Sequence, residues 1–453
     1  MMRPLLRLRP RPAATKACLL NQYQPLLKIG SRCNATAAVS ETQRPRFPGA
    51  TESPITTEMA FLRPSNLPLI PTYRVMNTEG VLDNPNRHPP NVTDEQALTW
   101  YKNMLTVNIM DTIMSEAQRQ GRISFYMVSA GEEAVTVGSA AALGPDDVIT
   151  CQYRETGVFQ QRGFTLKDFT SQLFSNRNDP GKGRNMPVHY SGKVKTGVHA
   201  VASTLATQIP HATGAAYALK MEAQENPTRP PRVAACYFGD GAASEGDFHA
   251  ALNVAATRAC PVIFICRNNG FAISTPTSEQ YRGDGIASRA IGYGIDVLRV
   301  DGTDIFAVYE ATVEARRRAL EDGCRPVLLE FMSYRISHHS TSDDSFAYRS
   351  RSEAEGWMKQ DNPLTRLRRW LENRDLWNME MEEQTRKQIR RDILQAVAQA
   401  ENEKKPALEG IFSDVYETLS EEQIEQKADL RRLMEKYPAE YDVEDHEGGL
   451  AGL

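Results

Sequence analysis

The chain has 453 residues, 41% hydrophobic and 24% charged. These are ordinary values for a globular protein that buries a sizeable core, and the length allows two or three domains of roughly 150 residues each. A formal net charge of −4 gives no bulk attraction to nucleic acid or to an anionic membrane surface, and no run of about 18 apolar residues marks a membrane-spanning helix. The seven cysteines form no Cys-x-x-Cys pair, which argues against structural zinc or a disulfide framework. Cys236 and Cys266 sit in apolar runs and read as buried, inert thiols.

From the amino end, no acidic residue precedes Glu41, whereas Arg3, Arg7, Arg9, Arg11, Lys16, Lys28 and Arg32 are interleaved with leucine, alanine and hydroxyl residues. Residues 1–40 therefore read as a mitochondrial transit peptide and place the protein in the matrix; the blander alternative is a basic tail. Residues 41–92 are rich in proline, which holds each preceding residue extended. Phe61, Leu62, Leu67, Leu69, Ile70 and Tyr73 make this arm too apolar for a free linker, so it packs on its own domain or on a partner. A capping box, Thr93-x-x-Gln96, opens a first helix that Gly121 ends. Five runs at 148–151, 233–238, 262–266, 295–300 and 327–331 are largely apolar rather than alternating, as strands buried on both faces are. Their alternation with helical stretches predicts a doubly wound parallel α/β domain over 93–360. Residues 361–453 read as a helical carboxy-terminal region with helices near 364–371, 382–400 and 421–434, the last capped by Ser420-x-x-Gln423. The end, 447–453, is expected to fray.

The strongest chemical signal spans Arg232 to Asn269. One apolar strand runs into Gly239-Asp240-Gly241-Ala242, then a helical segment for which Ser244-x-x-Asp247 is a plausible cap. The next strand ends at Arg267-Asn268-Asn269. Glycines let backbone approach a phosphate, and a helix N-terminus favours an anion. In open α/β sheets, ligands bind at the carboxyl ends of strands. One carboxylate and one amide oxygen suit Mg²⁺, which shares its octahedron with phosphates and water. A structural tight turn is the competing reading of the glycines alone.

Gly-Asp-Gly followed by Asn-Asn resembles the thiamine-diphosphate motif of transketolase-like and 2-oxo acid dehydrogenase enzymes. Gln152-Tyr153-Arg154, Gly181-Lys182-Gly183-Arg184, Met186-Pro187-Val188-His189-Tyr190, Leu205 to Pro210 and the Tyr334 to Asp344 run are similar to one family within that group. It comprises the α subunits of 2-oxo acid dehydrogenase decarboxylase components. His338-His339-Ser340-Thr341-Ser342-Asp343-Asp344 and Phe61-Leu62-Arg63-Pro64-Ser65 match its branched-chain type better than its pyruvate type.

The resemblance implies thiamine diphosphate and Mg²⁺ as cofactors, with Asp240, Asn269 and the Phe271 carbonyl on the metal. It implies cofactor contacts from Tyr153, Arg154, Ser203, Leu205, Gly239, Gly241, Ala242, Arg267 and His339, and a catalytic role for His339 beside the reacting centre. Ala202, Thr204, Thr207 and Gln208 resemble a K⁺ site in which relatives carry Ser at the first position; a main-chain carbonyl contact survives that change. Ser340 and Ser350 match positions phosphorylated by a dedicated kinase, which a phosphatase would reverse. The implied reaction is oxidative decarboxylation of branched-chain 2-oxo acids with acyl transfer to a lipoyl-bearing acyltransferase core. The resemblance assigns the glutamate that activates the cofactor ring, and the domain around it, to a separate β subunit, and so implies an α₂β₂ heterotetramer. A self-sufficient transketolase-like enzyme would need a second thiamine-binding domain. A regulatory or scaffold subunit would show damage at Asp240, Asn269 or His339, and all three are present.

Overall fold

Strands buried on both faces are apolar at most positions, and each of the five runs forms a strand of one parallel sheet. The computed structural model describes residues 47–49, 53–87, 90–192, 196–321 and 323–453; the transit-peptide expectation lies outside them. The strands are β1 (Thr72–Tyr73), β2 (Val148–Thr150), β3 (Ala234–Gly239), β4 (Val262–Asn268), a small antiparallel hairpin of β5 (Phe271–Ala272) and β6 (Thr275–Pro276), then β7 (Asp296–Asp301) and β8 (Val327–Met332). The six-stranded order is β1-β7-β8-β4-β3-β2, with every pairing parallel.

Successive residues of a strand point to opposite faces, and here they feed two different cores. Ala235, Tyr237, Ile263, Ile265, Leu329 and Phe331 enter one cluster. Ala234, Cys236, Phe238, Val262, Phe264, Cys266 and Leu328 enter the other. Burial pushes the Cys236 thiol up to about 12 and the Cys266 thiol well above its ordinary value, so both are inert as the sequence indicates.

Helices cover both faces. On the first lie α1 (Asp94–Arg119), α2 (Glu133–Ala142), α3 (Thr156–Gln161) and α4 (Leu166–Leu173); on the second, α5 (Gln208–Glu225) and α6 (Gly246–Arg258). The Thr93–Gln96 capping box of α1 forms in both directions. Short helices α7 (Thr277–Gln280) and α8 (Ala287–Ile291) precede α9 (Ile305–Leu320), which returns to the first face. Then come α10 (Arg351–Gln360), α11 (Pro363–Glu372), α12 (Met379–Glu401), α13 (Gly410–Ser413) and α14 (Glu421–Lys436), the last capped by Ser420 and Gln423 as its spacing suggests. Among the described residues no helix is long and apolar enough to cross a membrane.

The described residues divide into two units, 47–66 and 67–453. The described part of the first holds one 3-10 turn, Pro64–Asn66. In the second, the stretch after Leu67 is sewn into the sheet. β1 pairs with β7, the Val75 and Met76 amides donate to Asp304 at 2.7 Å, and buried Arg366 of α11 holds the Met76 and Asn77 carbonyls. The carboxyl end differs from the fraying expected. Leu453 is 3% exposed in a satellite cluster with Leu408, Phe412 and Met434, and the Glu409 amide donates to the Gly452 carbonyl at 2.9 Å. Its apolar residues found a small core that a helical-period search does not reveal.

Candidate active site

Register brings the two halves of the motif together. Gly239 of β3 pairs with Arg267 of β4, and the Asp240 amide donates to the Arg267 carbonyl at 3.2 Å. Asp240 and Asn269 therefore stand at the carboxyl ends of neighbouring strands. Gly241 is required by space: a Cβ there would lie 2.9 Å from Ala272 Cβ of the β5 hairpin. Gly270 has φ +90°, a turn that only glycine adopts without strain. The Ser244 cap does not form. Ala242–Ser244 is itself a 3-10 turn, so α6 starts later, with Glu245 as N-cap and no side-chain cap bond.

Asp240 is 1% exposed, and burial pushes its carboxyl above the usual range. Its Oδ2 accepts from Gln280 Nε2 at 2.7 Å; Gln280 Oε1 is buried without a partner. The two asparagines turn opposite ways. Asn268 Nδ2 donates to Glu330 at 2.8 Å and Tyr281 at 3.0 Å. Asn269 Nδ2 donates to Glu132, while its Oδ1 accepts from the Phe271 amide at 3.2 Å. Gln152 Oε1 accepts from the Gly239 amide at 2.9 Å.

Beneath this pair lies a buried ion triad. Arg267 donates through Nη1 to Glu132 and through Nε to Glu155, all three residues about 1% exposed. Desolvation opposes the Arg267 charge, and the two carboxylates more than offset it. Desolvation likewise opposes the Glu132 carboxylate, but Arg267 and Arg154 hold it below the usual range. Glu155 lies above that range because desolvation outweighs Arg267 and its Oε2 has no partner.

A loop after β8 closes the other side. Arg154 donates to the His339 carbonyl at 2.6 Å and to the Val128 carbonyl at 2.8 Å. Tyr153 Oη lies 3.5 Å from His339 Nε2. The His339 amide and the Tyr348 hydroxyl both donate to Asp343 Oδ2 at 2.7 Å, and Arg335 donates to the Tyr348 hydroxyl at 2.6 Å. Nε and Nη1 of Arg335 are buried without partners. His338 is turned into its own loop, its Nδ1 accepting from the Ser345 amide.

Burial, then Arg154 and Arg335, lower the His339 pKa to about 3. Its imidazole is neutral at physiological pH, a hydrogen-bonding group rather than a cation. The folded chain thus binds fewer protons than the unfolded one between about pH 6.5 and 3, so stability falls as pH falls through that window. His339→Asn is expected to flatten this fall, measured as the denaturation midpoint against pH; an unchanged slope would contradict it.

The structure brings Tyr153, Arg154, Gly239, Asp240, Gly241, Ala242, Arg267, Asn269, Phe271 and His339 into one region. Ser203, Thr204 and Leu205 instead lie on an exposed loop and, among the described residues, make no hydrogen bond to it. Thr207 and Gln208 start α5; Gln208 Nε2 is committed to the Tyr237 carbonyl at 3.0 Å. Ser340 lines a cleft of about 400 Å³ with Asp111, Ser115, Glu116 and Arg119. Ser350 is the N-cap of α10, its Oγ accepting from the Glu353 amide at 3.2 Å. Glu132, Glu155, Gln280 and Arg335 escaped sequence reasoning. Gly131-Glu132-Glu133 reads as acids at a helix start, and only the sheet carries them under a motif roughly 100 residues or more away.

A doubly wound sheet with polar side chains converging at adjoining strand ends is the architecture of an α/β enzyme domain. The sequence model of the dehydrogenase E1 component family matches residues 101–409. The chain is 51% identical over 404 residues to mouse 2-oxoisovalerate dehydrogenase subunit alpha, mitochondrial, covering 89% of each chain. It is 52% identical to the human protein of that name, covering 89% of this chain and 88% of that one. It is 48% identical to the Arabidopsis thaliana subunit alpha 2, covering 87% and 82%. The chain belongs to the dehydrogenase E1 component family.

Proposed function

We propose that this chain is the α subunit of a mitochondrial decarboxylase acting on branched-chain 2-oxo acids, active only with a β subunit and delivering the acyl group to a lipoyl-bearing acyltransferase. The observation that carries the reading is the convergence of the Asp240 carboxylate, the Asn269 amide and the Phe271 main chain at adjoining strand ends. That set offers hard oxygens, as Mg²⁺ prefers, and leaves positions for phosphate oxygens and water. The fit is also supported by the orphaned Gln280 Oε1.

Asp240, Asn269 and the Phe271 carbonyl would hold Mg²⁺. Tyr153, Arg154, Arg267 and His339 would meet the diphosphate of thiamine diphosphate, with Gly239, Gly241 and Ala242 letting it approach the backbone. Ser203 and Leu205, exposed here, would meet its ring together with the β subunit. When bound, the cofactor supplies the electron sink for loss of CO₂ from a 2-oxo acid. This chain's part is to clamp the diphosphate and to exclude water. His339 presents a neutral imidazole to the reacting end as donor or acceptor. Ala202, Thr204, Thr207 and Gln208 would hold K⁺ and order the loop before α5.

The Ser340 Oγ accepts from the Ser342 amide at 3.2 Å, three residues before Asp343, which holds His339. A phosphate on Ser340 adds roughly −1.5 to −2 charge beside Asp343 and Glu116. Repulsion would pull Asp343 off the His339 amide. Ser340→Glu is expected to lower turnover at least tenfold; activity equal to the parent would rule this regulation out. Ser350, as a helix cap, would act by a different route, on α10.

The deciding experiment is co-expression with the β subunit and comparison of kcat/KM for 2-oxoisovalerate and pyruvate, in K⁺ and in Na⁺ buffer. Preference for 2-oxoisovalerate is expected, with loss in Na⁺. Preference for pyruvate would overturn the substrate, decarboxylation by this chain alone would overturn the need for a partner, and equal rates in Na⁺ would remove the K⁺ site.

A further inference from the structure

We infer that Glu132 is a positioning residue that fixes which end of the Asn269 amide faces the metal. This rests on the reading of Asp240 and Asn269 as Mg²⁺ ligands. An asparagine side chain has an oxygen that can ligate a hard cation and an NH₂ that cannot, and the two ends have nearly the same shape. A ligating asparagine therefore needs something that holds its nitrogen away from the metal.

Glu132 meets that need. It is 1% exposed at the start of α2. One carboxylate oxygen accepts from Asn269 Nδ2, and the other accepts from Arg267 Nη1. An ionised carboxylate only accepts hydrogen bonds, so a flipped Asn269 would set its oxygen against the Glu132 oxygen. The Phe271 amide adds a second lock at the other end of the Asn269 side chain, since it donates to Oδ1 at 3.2 Å and would meet an NH₂ after a flip. Arg267 keeps Glu132 charged and is itself fixed by Glu155 at 2.5 Å. The triad thus orients a metal ligand in addition to balancing charge under the sheet.

Glu132→Gln tests this with little change of shape. Glutamine can donate as well as accept, so the amide–amide pair it forms with Asn269 has two orientations, and one of them presents nitrogen to the metal. The reciprocal variant, Glu132→Gln with Asn269→Asp, exchanges carboxylate and amide between the two positions. It keeps the total charge of the cluster, restores a one-way hydrogen bond and offers only oxygen to the metal. The measurement is Mg²⁺ dependence of thiamine diphosphate binding by calorimetry on the assembled α–β complex.

The expected result is that E132Q raises the Mg²⁺ concentration for half-saturation at least tenfold, while binding at saturating Mg²⁺ stays within about threefold. The reciprocal double variant returns the Mg²⁺ requirement to near that of the parent. An E132Q requirement within threefold of the parent overturns the inference, as does failure of the double variant to recover. If the parent binds thiamine diphosphate without needing Mg²⁺, the reading of the metal site itself fails, and that outcome is separate from the other two.

Discussion

Asp240→Asn is expected to lower turnover of the assembled α–β enzyme at least 100-fold while leaving the fold as stable as before or slightly more so. The two effects have one cause. Asp240 is 1% exposed, and burial pushes its carboxyl up, so in the absence of a counter-ion its charge is unfavourable. Its chief compensation is one hydrogen bond from Gln280. Asparagine keeps the shape, can still accept from Gln280, and removes the charge. It also removes the only anionic oxygen in the proposed cation set, where a divalent ion gains most from charge at close range. The checks are kcat with thiamine diphosphate and Mg²⁺, and the denaturation midpoint without them. Retained turnover would refute the metal role, and a large loss of stability would show that Asp240 is chiefly structural.

Arg267→Ala should have the opposite profile, with stability lost first. Removing the guanidinium leaves Glu132 and Glu155 buried without their shared cation, with only Arg154 left to act on Glu132. Breaking a buried pair in this way costs about 3–5 kcal/mol. Replacing the whole triad with similarly sized neutral side chains, as in Arg267→Met with Glu132→Gln and Glu155→Gln, is expected to recover most of that stability. It is not expected to recover cofactor affinity, because both the proposed diphosphate contact of Arg267 and the proposed orientation of Asn269 by Glu132 are gone. Denaturation midpoints and thiamine diphosphate binding on the single and triple variants check this. If the single variant were as stable as the parent, the triad would be an exposed-type pair of little consequence.

The sheet was legible because its strands obey a simple rule. Every residue from Val262 to Cys266 is apolar because alternate residues serve two different cores, and the sequence shows that directly. β1 was not legible, since two residues carry no period, and its pairing depends on a partner more than 200 residues away. The docked carboxyl end was hidden for a similar reason: Leu453 means nothing until Leu408 and Phe412 stand beside it. At the site, the Gly-Asp-Gly and Asn-Asn letters mark strand ends and so could be read. The residues that hold them in place could not. Glu132, Glu155 and Gln280 are ordinary polar residues in sequence, and their importance comes from burial and from tertiary neighbours. The Ser244 cap failed because local spacing does not reveal a 3-10 turn that shifts the start of α6.

The opposite facing of Asn268 and Asn269 has a consequence for how such a doublet is understood. Asn268 ties the strand end to Glu330 and Tyr281 on one flank; Asn269 ties it to Glu132 on the other. Two identical letters thus act as a rivet through the end of β4, fastening it to both walls of the molecule. Repetition here is not redundancy, since neither asparagine can take over the other's task from its own side of the sheet.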